Sequence, residues 1–332
     1  MTAPRPAWTL GGLAGLVGIL FAASVLIGPA GVAPGPSLRA LVVGDNPALA
    51  LVMREIRLPR AVLGALIGAA LGLAGAALQG YLRNPLAEPG LIGVSGSAAL
   101  GAVLALYTGL AAAFPLALPL MGLAGAFAAT LLVHALAGLA GGALTLILAG
   151  IAVSSLAGAL TSLVLNLSPN PFAAAEIVFW LLGSLADRSW THVWLAAPFI
   201  VAGMGMLWLL ARDLEALTLG EDAARSLGVS LTRTRALAVL GTASAVGAGV
   251  AVAGAIGFIG LVVPHLLRPL VGHSPARLLP ASALGGAACL LAADVAVRVI
   301  APERDLKLGV VTALVGAPFF FWLVWTTRRR LA

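Results

Sequence analysis

Arg57 and Arg60 stand on either side of Pro59, immediately ahead of a long apolar run. Proline is favoured at the first turn of a helix. The pair is therefore expected at the positive end of a helix dipole, where a cation is disfavoured by roughly a few tenths of a kcal/mol or more. Cations held in such a place suit a specific anionic partner. Lipid headgroups compete as that partner, because arginines at span ends snorkel to the interface, and Glu55 offers a local counter-ion. A third arginine, Arg298, follows Asp294 by one helical turn, which by itself reads as an intrahelical ion pair.

A second polar group lies mid-chain. Gly220 precedes Glu221 and Asp222, Ala223 and Ala224 follow, then Arg225, and Gly228 closes the segment. Acids at the start, a base near the end and a terminal glycine describe a self-capped helix of about two turns that needs no membrane. A solvated connector is the plain alternative. Nucleotide hydrolysis within this chain is excluded, because a phosphate-binding loop needs Gly-Lys-Ser/Thr and the one lysine, Lys307, sits in Asp-Leu-Lys-Leu. His134, His192, His265 and His273 lack metal-site spacing and read as interfacial polar caps. No glutamate, serine or cysteine arrangement reads as hydrolytic, so metal ligands, catalytic residues and a resident cofactor are all expected to be absent.

The elements that position these residues are membrane helices. The chain of 332 residues is 61% hydrophobic and 9% charged, against about 25% charged in soluble proteins. Crossing a core of about 30 Å takes roughly 20 apolar residues, and about ten runs qualify: 8–30, 61–82, 92–110, 115–138, 143–167, 190–211, 231–251, 254–270, 278–300 and 308–327. The first resembles a secretory signal, with Arg5 before it and Ala22, Ala23 and Ser24 behind, but its length and the later spans make it a retained helix. Cys289 has no partner in the chain, so no intrachain disulfide forms.

An even span count puts both termini on one side, and Arg328, Arg329 and Arg330 mark that side as cytoplasmic. Arg5, Arg83, Arg212, Arg225, Arg233, Arg235, Arg268 and Arg277 join them, leaving Arg39, Arg54, Arg57, Arg60, Arg188, Arg298, Arg304 and Lys307 outside. Eleven against eight is a weak bias, so something besides topology keeps arginines on the outer face. The charge of +7 does not point to nucleic acid, because the arginines are scattered rather than gathered on one face.

Residues 1–332 form a single membrane domain, with 211–235 as one cytoplasmic loop holding a short helix. Gly64, Gly68 and Gly72 line one face of the second span and invite close helix packing. Proline-rich breaks at 34–36, 169–171 and 264–275 are tolerated only where protein or water satisfies the backbone. The glycine-rich block 247–272 faintly echoes 72–96, as in an inverted repeat.

Several motifs occur in an order that resembles a known family. They are Arg57-Leu58-Pro59-Arg60, then Arg83-Asn84-Pro85-Leu86-Ala87-Glu88-Pro89-Gly90-Leu91-Ile92-Gly93, then Asp294 and Arg298 ahead of Leu308-Gly309-Val310-Val311-Thr312. The chain closely resembles the permease subunits of ABC importers for vitamin B12, haem and iron-siderophore complexes. That resemblance implies a type II importer fold of ten helices, paired as a homodimer in the bacterial inner membrane among its lipids. It further implies a periplasmic binding protein whose glutamates meet Arg57, Arg60 and Arg298. Two copies of a separate ATPase, which bind ATP and Mg, would engage Glu221-Asp222-Ala223-Ala224-Arg225-Ser226-Leu227-Gly228 as the coupling helix.

The pattern departs at Asp305-Leu306-Lys307, where relatives commonly carry Glu-Leu-Pro or Glu-Ile-Pro, which alters the expected shape of the last outer loop. The implied cargo is an iron chelate, haem or a siderophore complex, with cobalamin as the alternative. An ion-gradient transporter would need ionisable residues within its spans. Asp294 is nearly the only one deep enough, since Glu176 falls in the segment 172–187. A membrane-embedded enzyme is the least supported class.

Overall fold

The computed structural model describes residues 6–28, 31–114, 116–138, 142–168, 171–302 and 306–331. Arg5, Arg304, Asp305 and the proline break at 169–170 lie outside the described residues, as do the side chains of Arg328, Arg329 and Arg330. The helices in chain order are α1 (Pro6–Leu26), α2 (Pro34–Val42), α3 (Pro47–Leu51), α4 (Leu58–Tyr81), α5 (Val94–Tyr107), α6 (Leu110–Ala113), α7 (Ala117–Ala137) and α8 (Ala143–Asn166). They continue with α9 (Pro171–Leu181), α10 (Trp190–Trp208), α11 (Ala211–Leu217), α12 (Glu221–Ser226), α13 (Leu231–Ala253), α14 (Ile259–Leu267), α15 (Pro275–Ile300) and α16 (Leu308–Leu331). No strand occurs among the described residues.

Each of the ten apolar runs coincides with a helix, and among the described residues eight helices are long and apolar enough to cross a membrane. The runs 92–110 and 254–270 hold shorter ones. α5 has 14 residues, and α14 reaches only to Val271 through a 3₁₀ turn. At 1.5 Å per residue α5 is about 21 Å long, less than a full crossing. α9 is a further short apolar helix that the span pattern does not contain.

The second span begins earlier than its apolar run. α3, a π-helical turn (Val52–Arg57) and α4 continue without a break as one helix, Pro47–Tyr81. Pro59 explains the π turn: it has no N–H to offer the carbonyl of Glu55, and its ring pushes that carbonyl away. The helix widens there rather than starting there. The expected clash of Arg57 and Arg60 with a helix N-terminus is thereby corrected, since the true N-terminus lies at Pro47.

α4 and α13 form the centre and are buried on nearly all sides, whereas α1 and α16 expose most of their surface. α4 packs along α15 through bare backbone. A methyl group on Gly68 would strike the Gly286 carbonyl and one on Gly72 the Ser282 carbonyl, while Gly64 faces Leu185 and Leu291. Burial against helices leaves no room for side chains at Gly68 and Gly72, the arrangement small residues at helical spacing permit.

Two breaks meet at this centre. After α4 the chain turns at Arg83 (φ 49°), where Asn84 N–H donates to Gln79 O and Asn84 Oδ1 accepts Leu86 N–H at 2.9 Å. It then runs through a 3₁₀ turn (Pro89–Ile92) into α5. After α13 it passes Gly254 (φ 74°) into α14. The Pro89 ring packs on Gly260, whose backbone in turn lies against Gly75 of α4. The echoing blocks 72–96 and 247–272 thus share a plan of helix, break and short helix. Ser184 N–H holds the second break by donating to Ala253 O at 2.7 Å.

Candidate functional site

Two polar sites lie at opposite ends of α4, whose 24 residues place them about 36 Å apart at 1.5 Å per residue. At one end the structure brings Arg60 and Arg298 onto Asp294, with Arg57 next to them on the end of α1. Asp294 is fully buried; its Oδ1 accepts from Arg60 Nε at 2.9 Å and Nη2 at 2.8 Å, and its Oδ2 accepts from Arg298 Nη2 at 2.7 Å. Ser24 Oγ donates to the same Oδ2 at 3.4 Å and accepts from Arg298 Nη2 at 2.8 Å. The local Asp294–Arg298 pair of the sequence pattern is present, and it is one arm of a larger network.

The end of α1 explains why these arginines lie here. The last carbonyls of any helix lack intrahelical donors and carry its negative dipole end. Arg298 Nη1 donates to Ser24 O at 2.8 Å and Ile27 O at 2.7 Å, while Arg57 Nη1 donates to Leu26 O at 2.8 Å and Val25 O at 3.4 Å. These cations therefore sit at a helix C-terminus, where the dipole favours them. Arg57 and Arg298 are buried, and the Arg60 side chain keeps 16% of its exposure. Glu55 is exposed and pairs with none of the three among the described residues. Sequence reasoning missed Ser24, which it took for a small residue in a signal-like run. It also missed Trp190, whose Nε1 donates to Arg54 O at 2.9 Å beside the π turn.

At the other end, residues 211–235 hold two helices rather than one. α11 is anchored: Leu210, Leu214 and Leu217 are buried at helical spacing, Asp213 Oδ2 accepts from Thr234 Oγ1 at 2.7 Å, and Glu215 Oε1 accepts from Ser274 Oγ at 2.7 Å. α12 projects from this base. Gly220 precedes it at φ 103°, and Arg225 reaches back to Asp222 at 3.1 Å and Glu221 at 3.8 Å. Gly228 has φ 86°; its N–H donates to Arg225 O at 2.9 Å, and Val229 N–H donates to Ala224 O at 3.0 Å. That pair of bonds around a left-handed glycine is a Schellman cap. Ala224 faces inward, while Leu219 and Leu227 stand exposed on either side of the helix. A cavity of about 370 Å³ lies between α12 and the end of α4, lined by Tyr81, Glu221, Arg225, Ser230 and Arg235.

Three further cavities are lined almost wholly by apolar residues. One of about 800 Å³ lies against α16, lined by Leu182, Ala255, Gly309, Ala313, Ala317 and Phe321. Among the described residues no cluster of three His, Cys, Asp or Glu side chains could hold a metal. The histidines are dispersed: His192 Nδ1 accepts from the Ser189 N–H at 3.2 Å, and His265 meets Phe319 edge-on at 5.7 Å.

Comparison with known proteins matches residues 16–326 to the FecCD transport family. The Fe(3+) dicitrate transport system permease FecD of Escherichia coli K12 is 42% identical over 82% of this chain and 85% of its own. The vitamin B12 import system permease BtuC of Salmonella paratyphi A is 40% identical over 84% of this chain and 85% of its own. Among solved structures, one described as an inward-facing conformation of a metal-chelate type ABC transporter superposes with a TM-score of 0.85 at 34% identity, covering 96% of this chain and 98% of that one. The chain belongs to the FecCD transport family and is a multi-pass ABC transporter permease.

Proposed function

We propose that this FecCD-family chain carries a metal chelate delivered by a periplasmic binding protein, an iron chelate such as haem or a ferric siderophore first and cobalamin second. The carrying observation is the division of the molecule into a cationic end, an apolar middle and a capped helix at the far end. Three guanidiniums against one carboxylate leave the Asp294 cluster with an excess of two positive charges. A partly desolvated excess of that kind is met by carboxylates of a docking partner. Arg60, the one with exposure left, makes first contact, and Arg57 and Arg298 supply the field behind it. The apolar middle suits a chelate whose metal is already coordinated, so no ligands are needed from the path. Relatives named for Fe(3+) dicitrate and for vitamin B12 support that cargo class and its second member.

At the far end, residues 220–228 present α12 and the exposed Leu219 and Leu227 to an ATPase subunit, which binds ATP and Mg. A second copy of this chain completes the path in the bacterial inner membrane, with both termini cytoplasmic. An ion-gradient mechanism is disfavoured because such a transporter needs ionisable residues within its spans, and both carboxylate oxygens of Asp294 are taken up by arginines of the same chain.

Docking is tested by Arg60→Glu. Affinity for the binding protein is expected to fall by about tenfold, roughly 1.4 kcal/mol. The loss should be larger at low salt, where charges are least screened, and a reversed charge on the partner should restore binding. Unaltered affinity in a folded variant would overturn the assignment. Reconstituted vesicles should accumulate haem, a ferric siderophore or cobalamin only with ATP, and preference for free metal ions or sugars would refute the cargo class.

A further inference from the structure

α14 contains Pro264, which has no N–H for the carbonyl four residues earlier, that of Gly260. A carbonyl freed inside a membrane protein needs a donor from elsewhere. Gln79, buried in the last turns of α4, provides it: Nε2 donates to Gly260 O and to Leu261 O, each at 3.3 Å. Arg268 Nη2 donates to Gln79 Oε1 at 2.7 Å, one turn beyond the proline. A guanidinium only donates, so this bond fixes which side of the amide faces the carbonyls. No carboxylate lies within 4 Å of Arg268 among the described residues.

This joint differs from a helix ladder. The donor belongs to another helix, so it can detach without unwinding either one. It also sits where the two chain breaks meet, with Gly75 and Gly260 in backbone contact and the Pro89 ring against Gly260. Proline points with side-chain donors are where helices bend, and hinges absorb motion at a few such positions.

We propose that Gln79, Pro264 and Arg268 form a releasable joint on which α14 pivots against α4 during the transport cycle, with Gln79 as the positioning residue. The inference rests on the transporter reading above. Pro264→Ala returns a backbone N–H to Gly260 O and makes the Gln79 bond redundant, which separates a hinge from a structural prop. In vesicles holding the permease, its ATPase and its binding protein, tested with ferric dicitrate, haem and cobalamin, Pro264→Ala should keep or raise the melting temperature. Uptake should fall by about tenfold or more while ATP hydrolysis continues. Gln79→Leu should lose both stability and uptake, and Gln79→Leu with Pro264→Ala should recover stability alone.

Spin labels at positions 83 and 266, in a Cys289→Ser background, should change their separation between nucleotide-free and ATP-bound complexes. Wild-type uptake by Pro264→Ala, recovery of uptake in the double variant, or a constant label separation would each overturn the joint while leaving the importer reading intact. Absence of ATP-driven uptake of all three chelates by the unaltered complex would remove both.

Discussion

At the Arg57 end Asp294 has no exposure and holds two guanidiniums at 2.7–2.9 Å, whereas at the α12 end the Asp222 side chain is 99% exposed and meets Arg225 at 3.1 Å. Both are ion pairs of arginine with aspartate, yet they differ in almost every energetic respect. The buried network joins residues 234 and 270 positions apart, from α1, α4 and α15. Removing one member leaves charges stranded in a medium that solvates them poorly, so breaking such a pair is far more damaging than the net worth of making it. The exposed pair closes within one turn, is screened by water, and contributes little. Geometry at the α12 end is instead held by backbone caps. Charge organises the packing at one end; at the other it decorates a helix that glycine terminates.

Three substitutions separate the ends. Asp294→Ala should have the largest effect, about 3–5 kcal/mol of destabilisation, because Arg60 and Arg298 lose their shared counter-ion. The measurement is thermal melting of the purified permease in detergent. A shift equivalent to less than about 1 kcal/mol would mean that the cluster is solvated and the contrast between the ends is wrong. Gly228→Val should come next, at about 1–2 kcal/mol, since a branched side chain at φ 86° strains the αL cap. The strain is confined to the end of α12, so chelate uptake should drop while docking of the binding protein is retained. Full substrate-stimulated ATPase activity in that variant would show that the cap is irrelevant to coupling. Arg225→Ala should be the mildest, below about 0.5 kcal/mol, as expected of a surface pair. A large loss of global stability there would place α12 in the core of the fold and erase the distinction.

Legibility in the sequence follows the range of the interaction. α12 and its glycine cap were readable because every group that shapes them lies between Gly220 and Val229. The packing face of α4 was readable as a spacing of four, although its partner, the Ser282–Gly286 stretch of α15, was not. The arginine site was half legible. Asp294 and Arg298 are one turn apart, but Ser24 and the carbonyls of residues 24–27 stand some 270 positions away. The dipole argument for Arg57 and Arg60 misjudged the helix start, because the polar stretch 52–57 continues helically where composition suggests a loop. Gln79 gave no signal at all, being one amide in an apolar run, and the carbonyl it satisfies is that of Gly260, 181 positions away and left free by Pro264.

The sequence by itself determined the membrane class, the ten apolar runs, the glycine face of α4 and the capped helix, because hydropathy, helical period and cap chemistry act between neighbours in the chain. Tertiary structure alone decided what the buried polar groups do. It turned two arginines toward the open end of α1, gave Asp294 two partners, made α5 and α14 short, and brought the two breaks together at Gly75 and Gly260. The physical reason is that a buried donor or acceptor must be satisfied by whatever the folded chain places beside it, and in a bundle of membrane helices that neighbour is set by helix packing rather than by sequence order.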